Sequence, residues 1–332
     1  MITIVTPVYN EEKNIEELFE RVNKVFLKID KKYILLFVDN GSVDNSLNII
    51  KKLYNKHSQV KFISLTKNFG HQGGIWAGLY NSNSTSIIMD ADLQHPPEII
   101  PDIIKKWEDG YKVVHTKKVN DKDVRIWKKI FSNFFYKIIN KVTNLKLMSG
   151  QSDFCLIDIS VLSILKSLPE RKNFIRGIIK SLGFNYSVVE YVAAKRKEGK
   201  SKFSFFEYIN LAFDGILSFT KFPITVLFWV GLLISTMCFG YLIYLLSILF
   251  TNIINLDNDI SWYQWLTSAE EIQNLFPPGW TSIIVAVLFI GSVQLIGMGI
   301  LGKYITILID NTKKRPEFFI KEQSEEKINK DS

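Results

Sequence analysis

Two cysteines in 332 residues cannot build a disulfide framework. Cys155 falls in the polar part of the chain and Cys238 in an apolar run, so no bridge between them is expected and a reducing, cytosolic setting fits. Four histidines, none grouped, offer no imidazole-rich metal cluster. The start, Met1-Ile2-Thr3-Ile4-Val5, lacks the basic residues and the length of a signal peptide. The most informative absence is of positive charge. No Lys or Arg occurs between Lys221 and Lys303, although the chain carries 41 of them, a formal net charge of +8 and a pI near 9.1. The basic residues gather instead on the flanks, as Lys195, Arg196, Lys197, Lys200 and Lys202 before that interval and Lys313, Lys314 and Arg315 after it. Cations bordering apolar spans are attracted to an anionic cytoplasmic leaflet, so membrane lipids are the expected partner of this charge and nucleic acid is not.

The interval without cations holds two apolar runs. Phe222 to about Phe250 has no charged residue, and a second run covers about Thr281 to Leu301. Each exceeds the roughly 20 residues that cross a bilayer as a helix. Gly297, Gly299 and Gly302 predict a small-residue face on the second helix for close packing, and Gln294 a helix–helix hydrogen bond. The connecting segment carries Asp257, Asp259, Glu270 and Glu271, with Pro277-Pro278-Gly279 before the second run. By the positive-inside tendency this loop faces out and both flanks are cytoplasmic. The expected plan is a catalytic domain at 1–202, a juxtamembrane amphipathic helix at 203–221, a transmembrane helix at 222–250 and an extracytoplasmic loop at 251–279. A second transmembrane helix at 280–309 and a cytoplasmic tail at 310–332 complete it. The protein is thus expected in the plasma membrane with two spans.

The first two hundred residues alternate in character. Ile2–Val5, Ile34–Val38, Val60–Leu65, Ile87–Met89 and Lys112–His115 read as short strands bounded by turn residues. Between them Ile15, Leu18, Phe19, Val22, Phe26 and Ile29, and then Leu47, Ile50, Leu53 and Tyr54, recur at helical spacing. This alternation predicts an α/β fold with a mostly parallel sheet covered on both faces. Ligands of such sheets lie beyond the carboxyl ends of the strands. Residues 126–142 make an amphipathic helix, with Trp127, Phe131, Phe134, Phe135 and Ile138 opposite Lys128, Ser132 and Lys137. It either covers the sheet or lies in the membrane interface. Phe205 to Lys221 forms a second such helix, read as interfacial.

The chemistry centres on Asp90-Ala91-Asp92-Leu93-Gln94, which follows the apolar run Ile87-Ile88-Met89. Two carboxylates one residue apart at a strand end can share one hard divalent cation, Mg²⁺ or Mn²⁺, whose shell a substrate diphosphate completes. Asp39-Asn40-Gly41-Ser42 and Thr6-Pro7-Val8-Tyr9-Asn10-Glu11 end two other strands and should meet the pentad in one crevice. An anionic acceptor entering there needs cations, for which Lys128, Ser132, Arg196, Ser201 and Lys202 are the candidates; a generic membrane-binding patch is the alternative. Asp153 is either a ligand for sugar or nucleophile or a structural turn carboxylate. His71 and His95 read as hydrogen-bonding loop residues. Gly70-His71-Gln72-Gly73-Gly74 lacks the Gly-Lys-Ser/Thr ending of a nucleoside-triphosphate loop and reads as a loop shaping the donor site.

Taken in order, these motifs, with Asn68-Phe69-Gly70, His95-Pro96-Pro97-Glu98 and Gly199-Lys200-Ser201-Lys202-Phe203-Ser204, resemble the family 2 glycosyltransferases that load a sugar onto a polyprenyl phosphate. Dolichyl-phosphate mannose synthases share that soluble core. Leu168-Pro169-Glu170-Arg171, Val189-Glu190-Tyr191-Val192, Leu217-Ser218-Phe219, Val293-Gln294-Leu295-Ile296-Gly297 and Lys314-Arg315-Pro316 are similar to the bactoprenol glucosyltransferase branch. The resemblance implies a GT-A catalytic domain, inversion at the anomeric carbon, UDP-glucose as donor and undecaprenyl phosphate as acceptor. It implies that Pro7, Tyr9, Glu11 and Asp39 line the nucleoside site, with Ala91 beside them, and that Asp90, Asp92 and Gln94 hold the metal and the diphosphate. Asp92, Asp153 and Arg196 are the expected catalytic residues, and a homotetramer and a small membrane flippase are expected partners.

Three departures bear on the sugar. The usual Asp-Asp-Gly-Ser is Asp39-Asn40-Gly41-Ser42; the arginines after the strand near His115 are Lys117 and Lys118; and Gly-Asp-Phe-Arg is Ser152-Asp153-Phe154-Cys155. Mannose or an amino sugar are the alternative cargoes. A nucleotide-sugar-sensing subunit of a lipid-linked-sugar flippase is the alternative of another class. A processive synthase fits less well, since its Gln-x-x-Arg-Trp motif is missing.

Overall fold

The structure, a computed structural model, describes residues 1–119, 140, 148, 150–168, 175–192, 222–254, 279–312 and 316–324. The amphipathic segments 126–142 and 205–221, the connecting loop, and Lys128, Ser132, Arg196, Ser201 and Lys202 all lie outside them. The chain divides into two compact units, residues 1–219 with 314–332, and residues 220–313.

The first unit is built on an eight-stranded mixed sheet: β1 (Ile2–Val8), β2 (Tyr33–Asp39), β3 (Val60–Leu65), β4 (Thr85–Ile88), β5 (Val113–Lys118), β6 (Gln151–Ile157), β7 (Tyr186–Tyr191) and β8 (Ile320–Gln323), in the order β7-β5-β6-β4-β1-β2-β3-β8. β4, β1, β2 and β3 run parallel, as do β5 and β7, whereas β6 lies antiparallel between β4 and β5. The helices are α1 (Ile15–Ile29), α2 (Ser46–Lys56), α3 (Gly70–Tyr80), α4 (Ile100–Glu108), α5 (Ile159–Ser167) and α6 (Ile175–Ser181).

Strand side chains alternate between faces, and two cores follow. Ile2, Ile4, Leu35 and Phe37 pack under α1, α2 and α4, while Val5, Leu36 and Val38 pack under α3, α5 and α6. The five expected strands and the first two helices are present. The Gly70–Gly74 segment is a helix and not the expected loop. Its glycines do not break it; they let it rest on the sheet at backbone distance. A Cβ on Gly78 would come within 2.2 Å of Val5 Cγ1, and one on Gly74 within 3.0 Å of Pro7 Cβ. Residues 74 to 79 are all buried, so no amphipathic stripe announces the helix.

β8 comes from the segment expected as a tail. It pairs antiparallel with β3, as Ile63 with Gln323 and Ser64 with Glu322. The Thr66 N–H donates to the Phe319 carbonyl at 2.9 Å and the Ser324 N–H to the Phe62 carbonyl at 2.9 Å. Lys51 Nζ lies 2.7 Å from Glu322, and the Phe319 ring packs 6.2 Å from Phe69. The edge of the parallel sheet is thereby covered, which suppresses unwanted strand pairing.

His115 is buried in β5, its Nδ1 3.1 Å from Gln151 Nε2. Burial, with Lys180 and Arg176 nearby, lowers its pKa to about 3. Below pH 6.5 the unfolded chain takes up a proton here that the folded chain refuses. The stability is therefore whole above pH 6.5 and declines as pH falls toward 3. Replacing His115 by Gln should make the decline shallower by up to ~1.4 kcal/mol per pH unit. Denaturant unfolding at pH 7.5, 6 and 5 checks this; parallel curves for the two proteins would refute it.

The second unit holds α7 (Phe222–Ile254) and α8 (Trp280–Thr312), of 33 residues each. Each is about 50 Å long at 1.5 Å per residue. Among the described residues, Ala286–Ile309 is long and apolar enough to cross a membrane, and Phe222–Ile234 is a shorter apolar stretch. Of the three glycines expected to form a packing face, Gly297 faces α7, where an added Cβ would lie 3.9 Å from Leu227; among the described residues Gly299 and Gly302 meet nothing within 4 Å.

Candidate active site

Parallel strands β1, β2 and β4 end on one edge of the sheet, because Val8 pairs with Asp39 and Val5 with Ile88. β6 runs the other way, with Ile88 opposite Cys155. Two more residues along that register set Asp90 beside Asp153. The Asp39 and Asp90 motifs therefore meet on one edge, and Asp153 joins them from an antiparallel strand.

Asp39 is buried, accepting from Ser64 Oγ at 2.9 Å and from the Ser42 N–H at 3.1 Å. Asn10 adopts a left-handed φ of 58°, which asparagine tolerates, and its Oδ1 accepts the Val43 N–H at 2.9 Å. The Glu11 N–H donates to Ser46 Oγ at 3.0 Å, and Glu11 Oε2 accepts from Asn14 Nδ2 at 2.6 Å. The loops after β1 and β2 thus brace each other. Tyr9 stands exposed above them and Pro7 is buried beneath.

Asn40 explains its departure from the usual aspartate. Its Nδ2 donates to the Gly70 carbonyl at 2.8 Å and to Asn68 Oδ1 at 3.2 Å, while its Oδ1 accepts the Phe69 N–H at 2.9 Å. A carboxylate could not make the two donations. The amide ties the β2 loop to the start of α3. Gly41 is required at the same crossing: φ is +71°, and a Cβ would lie 2.5 Å from the Lys67 carbonyl carbon.

His71 lies in the first turn of α3, with its Nε2 3.5 Å from Asp90 Oδ1 and 3.4 Å from Asp153 Oδ2. Burial would lower the His71 pKa. The bond to Asp153 and the charges of Asp90 and Asp153 outweigh it and raise the value to about 9. His71 thus bridges two carboxylates as a cation, more than the loop residue expected of it. His95 does what was expected. Its Nδ1 accepts the Asp90 N–H at 3.1 Å, so its proton sits on Nε2 and is donated to Ser152 Oγ at 2.7 Å. Its ring stacks on Phe154 at 5.0 Å. His95 therefore pins the pentad to β6.

Within the pentad, Ala91 and Leu93 are buried and Asp92 and Gln94 partly exposed. Leu93 holds φ 62°, an uncommon state for a leucine that marks a constrained turn. The Gln94 N–H donates to Asp92 Oδ1 at 3.1 Å. Asp90 Oδ1 is buried without a hydrogen-bond partner. A buried carboxylate oxygen that makes no hydrogen bond, next to the Asp92 carboxylate in sequence, fits a hard cation whose other ligands come from substrate. Among the described residues no three His, Cys, Asp or Glu side chains form a complete metal cluster by themselves.

Asp153 is nearly buried, and Arg176 Nε lies 2.7 Å from its Oδ1. Burial alone would raise its pKa, but Arg176 and His71 hold the carboxyl well below the usual range. Cys155, which stands where an arginine was expected, is fully buried with its thiol pushed up by burial and hence inert. The guanidinium at this place comes from α6 instead. Arg176 is not among the residues singled out from sequence, and its signal there is a lone cation among Ile175, Ile178 and Ile179; Gln72 is read there only as part of the Gly70–Gly74 segment.

Residues 3–165 match the model for glycosyl transferase family 2. The chain is 36% identical over 323 residues to the putative glycosyltransferase CsbB of Bacillus subtilis (strain 168), covering 97% of this chain and 92% of that one. It is 33% identical over 327 residues to the bactoprenol glucosyl transferase of Shigella phage SfV, covering 98% and 99%. Among solved structures, glucosyl-3-phosphoglycerate synthase from Mycobacterium tuberculosis, in complex with Mn²⁺, UDP and glucosyl-3-phosphoglycerate, aligns with a TM-score of 0.48 and 18% identity over 65% of this chain and 77% of that one. Relatedness that runs the full length of both chains, with the carboxylate motifs brought together at the strand ends, makes this a glycosyltransferase of family 2, in the group that includes the bactoprenol glucosyl transferases.

Proposed function

We propose that the enzyme transfers glucose from UDP-glucose to undecaprenyl or a related polyprenyl phosphate, with inversion, at the cytoplasmic face of a membrane that α7 and α8 both cross. The observation that carries this is the convergence of Asp90 and Asp153 on His71, within 3.5 Å, with Asp90 Oδ1 buried and making no hydrogen bond. The full-length relatedness to bactoprenol glucosyl transferases supports the choice of cargo and carrier.

The acceptor oxygen is already anionic at neutral pH, so no general base is needed. The residues align that oxygen behind the anomeric carbon, which can contribute roughly 7–11 kcal/mol. Pro7, Tyr9, Glu11 and Asp39 hold the nucleoside, and Asp39 is kept rigid by Ser42 and Ser64. Asp90 and Asp92, with Gln94, would hold Mg²⁺ or Mn²⁺, which when bound neutralises charge gathering on the departing diphosphate. Asp153 orients the sugar or the incoming phosphate, and Lys128, Ser132, Arg196, Ser201 and Lys202 receive the lipid phosphate.

Membranes containing the protein, given polyprenyl phosphate and a panel of labelled UDP- and GDP-sugars, should form a mild-acid-labile lipid-linked monosaccharide from UDP-glucose. Transfer from GDP-mannose or a UDP-amino sugar instead would replace the cargo. Donor bound without transfer would favour the flippase-sensor reading.

A further inference from the structure

We infer that Arg176 is a positioning residue for the transfer reaction, acting through Asp153 and touching no substrate itself. Asp153 and Arg176 come from different elements, β6 and α6, and meet at 2.7 Å with side-chain exposures of 10% and 22%. The guanidinium has a second anchor on the same strand, where Arg176 Nη1 donates to the Gln151 carbonyl. Residues 151 and 153 lie on one face of β6, so Arg176 straddles the strand and fixes the carboxylate against it. Gln72 closes the arrangement from α3. Its Oε1 accepts the Ile175 N–H at 3.2 Å, at the start of α6, and its Nε2 lies 3.5 Å from Asp153 Oδ2.

Asp153 therefore keeps Oδ1 for Arg176 and turns Oδ2 toward His71, the group that also touches Asp90. A carboxylate this buried ionises only beside a cation. Among the described residues, the charged and titratable groups that face it are Arg176 from α6, His71 from α3, His95 from the loop after β4 and the Cys155 thiol on its own strand, with Asp90 beyond His71. Of these Arg176 is the one permanent cation. Its task is to hold Asp153 charged and in place while substrates come and go. The inference rests on the reading of Asp153 as part of the transfer site.

The test uses the full-length protein in detergent or vesicles with its donor and polyprenyl phosphate. Arg176→Gln should lower kcat about 10²-fold, the loss expected when a catalytic group is misplaced by about 1 Å, with the KM for the nucleotide sugar little changed. The variant should also gain an acid limb: its kcat falls at a higher pH than that of wild type, because Asp153 has lost the nearer of its two cations and leans on His71. Arg176→Lys should recover part of the rate and most of the pH profile. Combining Arg176→Gln with Asp153→Asn should cost no more than Asp153→Asn alone. A wild-type kcat and pH profile in Arg176→Gln would overturn the inference. So would a loss that tracks the fraction of folded protein, has an unshifted profile, and adds in full to that of Asp153→Asn. These readouts use whichever sugar the wild type transfers. An error in the cargo therefore shows in the wild type, and an error about Arg176 shows only in the variants.

Discussion

Asp92→Ala is expected to abolish transfer while the catalytic unit stays folded. The side chain is partly exposed, and its Oδ1 accepts the Gln94 N–H at 3.1 Å. Losing a local side-chain-to-backbone bond of this kind costs about 1 kcal/mol. The buried Ala91 and Leu93 and the His95 bond to the Asp90 N–H keep the turn in shape without it. Catalysis has no such redundancy. Charge develops on the departing diphosphate, and removing one preorganised stabilising contact of that kind lowers kcat about 10²–10³-fold; loss of half the carboxylate pair should reach the upper end or exceed it. Chelation should silence the wild type in the same way, and Mg²⁺ or Mn²⁺ should restore it. Turnover assays beside thermal unfolding of the same samples decide the matter. Near-normal transfer by Asp92→Ala, with metal present, would remove the pentad from the mechanism.

Deleting residues 316–332 is expected to damage both stability and the donor site. The deletion removes the β3–β8 ladder, the two flanking backbone bonds and the Lys51–Glu322 pair. At about 0.5–1.5 kcal/mol for each net hydrogen bond, the loss should come to about 2–4 kcal/mol, and an open β3 edge invites aggregation. The donor-site effect follows a short chain of contacts. Phe319 holds Thr66 through its carbonyl and Phe69 through its ring, Phe69 donates to Asn40, and Asn40 fixes the turn that presents His71. The KM for the nucleotide sugar should therefore rise in the protein that remains folded. Glu322→Gln should do far less, since a half-exposed ion pair is worth at most about 1 kcal/mol. Unchanged unfolding temperature and KM after the deletion would show that β8 merely rests on the sheet.

The parts of this fold that could be read beforehand are those where apolar runs dominate. β1 to β5 are short Val/Ile/Leu/Phe-rich segments ended by polar motifs, and α1 and α2 carry clear stripes. β6 was missed because Gln151, Ser152 and Asp153 occupy its start, where it delivers chemistry instead of core. β8, Ile-Lys-Glu-Gln, has too little apolar content to declare itself; its strand state comes from the edge it meets. α3 was misjudged because glycine is ordinarily a helix breaker, whereas here close packing on Val5 and Pro7 requires it. At the site, the placing of Asp39, Asp90 and Asp92 at strand ends is legible from motif and apolar run, whereas Asp153 reads equally as a turn carboxylate. His71 and Arg176 are not legible, because their roles depend on which elements the topology brings together. Asn40 looked like a neutralised carboxylate. Its hydrogen bonds show an amide doing work that a carboxylate cannot.

The most direct measurement of the account is the anomeric configuration of the lipid product made by the purified, full-length protein from UDP-α-glucose and undecaprenyl phosphate. One displacement by the phosphate oxygen, on a sugar held at the Asp90–Asp153 cluster, must give the β-glucosyl phosphate, read from its proton and phosphorus couplings. An α-linked product, or donor consumed with no lipid-linked glucose formed, would contradict it.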